Sequence, residues 1–114
     1  MTKVYGIKNC DTVKKALKWL DKNSIDYQFH DLRKDGISKT DLQTWIKTVD
    51  WEVLLNKRST TWRQLSDKDK TDVDANKAVS LMLANPTLIK RPVITNGKTT
   101  LVGFNDNDYK KALN

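Results

Sequence analysis

The chain has 114 residues, 38% of them hydrophobic and 31% charged, with a formal net charge of +7. That length supports one core and not two, and no apolar run approaches the roughly 18 residues that cross a bilayer. Most lysines are interleaved with acids, as in Asp67-Lys68-Asp69-Lys70-Thr71-Asp72, and there is no long basic run or aromatic-interleaved basic motif, so the charge suits small anions and argues against nucleic-acid and membrane partners. The N-terminus lacks the apolar stretch of a signal peptide. One cysteine cannot close an internal disulfide, and composition therefore points to a reducing, cytoplasmic compartment.

In chain order, residues 3–7 read as a short buried strand and residues 11–23 as an amphipathic helix, because Val13, Ala16, Leu17 and Leu20 recur on one helical face. Residues 27–32 alternate and read as a second strand. A strand, a helix and a strand within about thirty residues imply a βαβ unit with parallel strands. Gly36 breaks the chain. Ser38 with Asp41 three residues later imitates a capping box, and Leu42, Trp45, Ile46 and Val49 follow at helical spacing. Trp51, Val53, Leu54 and Leu55 fit a short helix or a packed loop, and residues 56–61 read as exposed. Ala75, Ala78, Val79 and Met82 repeat the helical pattern until Asn85-Pro86 stops it.

The last third supplies more sheet. Val93-Ile94-Thr95, then Asn96-Gly97, then Thr99 to Val102 reads as a hairpin on a type I′ turn, with Lys98 able to extend the loop. Tyr109, Ala112 and Leu113 suggest a terminal helix that caps the sheet. The order is βαβ, a helical insertion over about 37–88, ββ and α within a single domain, 1–114. With the insertion set aside, this is an α/β thioredoxin-like fold. In such folds the proline entering the third strand follows a cis bond, so Arg91-Pro92 is expected to be cis and to stand beside Cys10.

Cys10 lies where the first strand hands over to the first helix. Free amide donors and the helix dipole favour an anion there, and the thiolate is the reactive form of cysteine. A buried, inert cysteine is the competing reading, and polar Asn9 and Asp11 beside it argue for partial exposure. The carboxylate of Asp11 opposes a neighbouring thiolate unless it serves as a helix cap. Arg58, Arg63 and Arg91 are flanked by turn formers or proline, where a guanidinium can be aimed into a cleft. Arg63 fits a third anion contact or a cation stacked on Trp62. His30 suits a surface or structural role better than acid–base work, and one histidine with one cysteine is too few for a structural zinc site. Trp19, Trp45, Trp51 and Trp62 read as packing residues.

Three segments carry a resemblance: Tyr5-Gly6-Ile7-Lys8-Asn9-Cys10-Asp11-Thr12-Val13-Lys14-Lys15-Ala16, then Leu54-Leu55-Asn56-Lys57-Arg58-Ser59-Thr60-Thr61-Trp62-Arg63, then Ile89-Lys90-Arg91-Pro92. In order and over nearly the full length they resemble the bacterial arsenate reductase (ArsC/Spx) family, above all its YffB-type branch of glutathione-dependent reductases. The resemblance implies a thioredoxin-like domain with a helical insertion and a nucleophilic cysteine at Cys10. It also implies anion-binding arginines at Arg58 and Arg91, and it sets Pro92 and Thr12 as fold-defining positions near the site. Arg63, Asn9 and Lys8 are further candidates to line the anion pocket.

Two departures narrow the function. Spx-type regulators resembled here carry a second cysteine three positions after the first, where this chain has Val13, so a two-cysteine switch is impossible. The glutaredoxin-coupled arsenate reductases use a further arginine after the hairpin, and Leu101-Val102-Gly103-Phe104-Asn105 offers none. An adduct on a lone thiol must be resolved from outside, with glutathione or a glutaredoxin as the natural agent. The expected function is thus a thiol reductase acting on a small oxyanion or disulfide, with no bound cofactor or metal and glutathione as co-substrate. A Spx-like adaptor that binds RNA polymerase without turnover, and a true arsenate reductase, are the competing readings.

Overall fold

The computed structural model describes residues 1–113, and these divide into two compact units, Met1–Asp35 with Arg91–Asn114, and Gly36–Lys90. The first unit holds the sheet. Strand β1 (Thr2–Gly6) leads through residues 7–10 into helix α1 (Asp11–Lys22), and strand β2 (Tyr27–Asp31) returns parallel to β1, with Val4 opposite Phe29. Strands β3 (Val93–Asn96) and β4 (Thr99–Val102) add an antiparallel hairpin, giving the order β2-β1-β3-β4. Helix α7 (Asp106–Leu113) completes the unit. This is the thioredoxin-like α/β arrangement expected from the sequence.

Alternation along the strands places Val4 and Ile94 on the face covered by α1 and α7. There they pack with Ala16, Trp19, Leu20 and Tyr109, flanked by Tyr27, Phe29 and Leu101. Fully burying an aliphatic or aromatic side chain contributes about 1.5–3 kcal/mol, so these few residues dominate the stability of the unit. Tyr109 is the keystone: its ring meets Trp19 and Phe104 edge-on at 5.3 and 5.1 Å, and its hydroxyl donates to the Gly103 carbonyl at 2.6 Å. Trp19 in turn donates its indole N–H to the Asp106 carboxylate, tying α1 to the start of α7.

The second unit contains helices α2 (Lys39–Trp45), α3 (Trp51–Leu54), α4 (Thr60–Gln64), α5 (Asp67–Lys70) and α6 (Ala75–Ala84), then a 3-10 turn over Pro86–Leu88. Helices this short are marginal alone. Each is started by a side chain that accepts a backbone N–H, from Ser38, Asp50, Ser59, Ser66 and Asp74 in turn, and each such cap is worth about 1 kcal/mol. Leu42, Trp45, Leu54, Val79, Met82 and Leu88 form the buried interior. The unit is not wholly helical, because Leu55 and Ile89 form an isolated antiparallel bridge.

Two local expectations are corrected. The hairpin turn is Gly97-Lys98, since Asn96 pairs with Thr99, and only Gly97 has a positive φ, so one left-handed residue replaces the two of a type I′ turn. Val49 lies outside α2, which ends at Trp45 with Ile46 as its C-cap. The acid–lysine run, which reads as a solvated face, has no buried residue and contains α5, where Ser66 accepts the Asp69 N–H and holds one turn together. No helix among the described residues is long and apolar enough to cross a membrane.

Candidate functional site

The loop after β1 is short because its ends are fixed. Gly6 closes the strand and its carbonyl accepts the Leu32 N–H at 2.9 Å, while Ile7 is buried. Four residues past Gly6, Cys10 is the N-cap of α1: its extended backbone (φ −132°, ψ 125°) turns the chain into the helix, and its carbonyl accepts the Lys14 N–H at 2.9 Å. Cys10 is half-buried and its side chain takes no capping hydrogen bond. The thiol thus sits at the positive end of a twelve-residue helix, where an anion is favoured. Asp11 occupies the first helical position and is exposed, so the N-cap position is that of Cys10 and not of Asp11. Lys8, Asn9 and Thr12 are exposed, and the Lys8 ammonium lies 5.7 Å from the Phe29 ring centroid. Val13, where a second thiol would stand, is fully buried.

Arg91 and Pro92 enter the same unit from the other side. The Arg91-Pro92 bond is cis, as the thioredoxin-like arrangement requires, and the Pro92 carbonyl accepts the Gly103 N–H at 2.8 Å. Tyr5 pairs with Val93 in the antiparallel β1–β3 ladder. That register carries Arg91 and Pro92 to the end of the sheet from which residues 7–10 emerge. Arg91 is half-buried, with its Nε enclosed. Cys10 and the Arg91-Pro92 step therefore share one end of one sheet.

Arg58 and Arg63 belong to the helical unit. Arg58 is exposed on a closed turn: Asn56 accepts the Arg58 N–H on its side-chain oxygen at 3.0 Å and the Ser59 hydroxyl on its carbonyl at 2.9 Å, and Ser59 then caps α4. Arg63 is exposed on α4, and the cation over the Trp62 ring is Lys57, 5.7 Å from its centroid and 6.0 Å from that of Trp51. The stacked-arginine reading of Arg63 is thereby replaced. Trp19 and Trp45 are buried packing residues, whereas Trp51 and Trp62 are half-buried and hold a lysine. His30 is half-buried with its ring 5.0 Å from that of Tyr5.

Arg58 also borders an open cavity of about 560 Å³, lined by Glu52, Val53, Leu55, Asn56, Lys57, Arg58 and Lys90. Lys57 and Lys90 flank arginines in the sequence and are not among the candidates read from it. The signal was the Asn-Lys-Arg-Ser run, in which an Asn-started turn pushes consecutive cations outward.

A thioredoxin-like domain with its lone cysteine at the β1–α1 junction and a cis proline entering β3 defines the class. The chain belongs to the ArsC family, whose model matches residues 5–112. It is 50% identical over 113 residues, 99% of each chain, to an uncharacterized protein of Haemophilus influenzae. It is 27% identical over 107 residues to the global transcriptional regulator Spx of Streptococcus pyogenes, covering 92% of this chain and 79% of that one. Among solved structures, the YffB protein superposes with a TM-score of 0.97 at 46% identity over the whole of both chains. An ArsC-related protein from Brucella melitensis matches with a TM-score of 0.75 at 46% identity, covering 97% of this chain and 92% of that one.

Proposed function

We propose that the chain is a cytoplasmic thiol reductase in which Cys10 is the nucleophile, Arg58 and Arg91 hold the anionic part of the substrate, and glutathione or a glutaredoxin restores the thiol. The observation that carries the reading is the half-buried, uncapping thiol of Cys10 at the N-terminus of α1, at the sheet end where Arg91-Pro92 enters β3. On a disulfide substrate, the Cys10 thiolate attacks one sulfur, a new Sγ–S bond forms, and the other sulfur leaves as a thiolate. A glutathione thiolate then attacks the substrate sulfur of that adduct and Cys10 leaves as a thiolate, so two exchanges balance without any resident redox group. Residues Lys8, Asn9 and Arg63 serve as further anion contacts, and no step is assigned to His30. Membership of a family with arsenate-reductase relatives supports oxidoreductase chemistry, while the missing arginine at residues 101–105 disfavours arsenate itself.

The test is covalent. After incubation with oxidised glutathione, intact-mass measurement is expected to show one added glutathione on the wild type and none on Cys10→Ser. An unmodified wild type would sink the exchange step. A second reading, an adaptor that binds RNA polymerase, draws on the Spx relatives. It predicts equal capture by polymerase of wild type and Cys10→Ser, whereas the reductase reading predicts capture of neither.

A further inference from the structure

Lys57, Arg58 and Lys90 line one cavity against a single carboxylate, Glu52, for a local charge of +2. Among the described residues none of the three joins an ion pair, although Glu52 borders the same space. Lys57 is held by the Trp51 and Trp62 rings instead, a contact that orients an ammonium without neutralising it. The base is stiff: the Leu55–Ile89 bridge is flanked by Asn56 N–H donating to the Leu88 carbonyl and Lys90 N–H donating to the Leu54 carbonyl, both at 2.8 Å. Like charges gathered at a rigid site with one carboxylate among three cations repel one another, and an anionic ligand offsets that repulsion.

The cavity is also larger than a bare oxyanion fills and has an apolar side. Its volume of about 560 Å³ lies within the range of small-molecule sites, whereas a tetrahedral oxyanion displaces a few waters, on the order of 100 Å³. Its lining includes buried Leu55 and Val53, which is 50% exposed and, with Met1, one of two exposed large hydrophobics among the described residues. We propose that this cavity binds a small organic anion with at least two negative charges beside an apolar segment, its charges met by Lys57, Arg58 and Lys90 and its apolar side by Val53 and Leu55. The link to turnover rests on the reading that Arg58 holds the substrate anion, but binding does not need Cys10.

Titration calorimetry on full-length Cys10→Ser protein tests this with three probes: benzene-1,3-dicarboxylate, inorganic sulfate and the neutral 1,3-dicarboxamide. The dicarboxylate is expected to bind at least about tenfold more tightly than sulfate, a difference of about 1.4 kcal/mol. The dicarboxamide is expected to give no heat, and the Lys57→Gln/Lys90→Gln double variant to bind the dicarboxylate about tenfold more weakly. Backbone amides of Asn56, Lys57, Arg58 and Lys90 should shift in nitrogen–proton spectra during the titration. Sulfate binding as tightly as the dicarboxylate, unchanged affinity in the double variant, or no shift of those amides at the highest dicarboxylate concentration each overturns the proposal. Dicarboxylate binding by Cys10→Ser, together with a wild type that forms no glutathione adduct, supports the site while removing the reductase reading.

Discussion

Replacing Gly6 by alanine tests how β1 and α1 set the position of Cys10. A Cβ built at Gly6 lies 2.9 Å from Val13 Cγ2 and 3.3 Å from Cγ1, well inside the 3.5–4.0 Å optimum for carbon pairs. Val13 is fully buried in the first turn of α1, and its branched side chain is stiff, so relieving the contact disturbs packed groups at the helix start. Overpacking of this kind costs about 1–3 kcal/mol, and the gain from a less flexible unfolded chain offsets about 0.4–1 kcal/mol of it. Gly6→Ala is thus expected to destabilise by about 1–2 kcal/mol, lowering the melting temperature by roughly 4–8 °C. Val13→Ala alone costs about 2 kcal/mol through lost burial and a cavity. It also removes both clashing carbons, leaving Val13 Cβ at an ordinary 3.7 Å. The double variant should therefore be about as stable as Val13→Ala, a coupling of at least about 1 kcal/mol in urea-unfolding free energies. Additivity within about 0.5 kcal/mol would refute the close-approach argument.

Burial pushes the Tyr109 phenol up from its ordinary value, and burial followed by the Asp21 carboxylate does the same to Tyr27. For each the folded state keeps its proton longer than the unfolded chain, so the stabilisation is complete below about pH 10 and is lost as pH climbs through the raised native value. Tyr109→Phe should be less stable than wild type at pH 8, by about 1–2 kcal/mol for the orphaned Gly103 carbonyl. The gap should close between pH 10 and 11.5, and urea midpoints that fall equally steeply in both proteins would contradict it. At α6, Asp74 accepts the Lys77 N–H at 2.8 Å. Asp74→Ala is expected to cost about 1 kcal/mol by thermal unfolding, while Asp74→Asn, which keeps the acceptor, should cost less than half of that.

Residues that act through their neighbours in the chain are legible in the sequence alone. The period of Val13, Ala16 and Leu20 marks α1, Ser38 and Asp41 mark the start of α2, and Asn85-Pro86 marks the end of α6, because each signal depends on local backbone geometry. The place of Cys10 at a strand-to-helix junction follows from the same local pattern. Other features depend on pairings that no local signal encodes. The hairpin register turns on which residue faces Asn96 across the ladder, and cross-strand pairing with Thr99 decided it against the Asn-Gly preference. The short helices α3, α4 and α5 carry too few turns for a period, and their capping hydrogen bonds become visible only once the chain is folded. The partner of Trp62 was settled by a turn that brings Lys57 over both indoles. In the same way the cavity joins Lys90 to Lys57 and Arg58 only because Leu55 bridges Ile89, thirty-four positions along the chain. The sequence by itself thus determined the elements and the thiol at their junction; tertiary pairing decided which cations stand together, because charge is assembled across distances that periodicity does not measure.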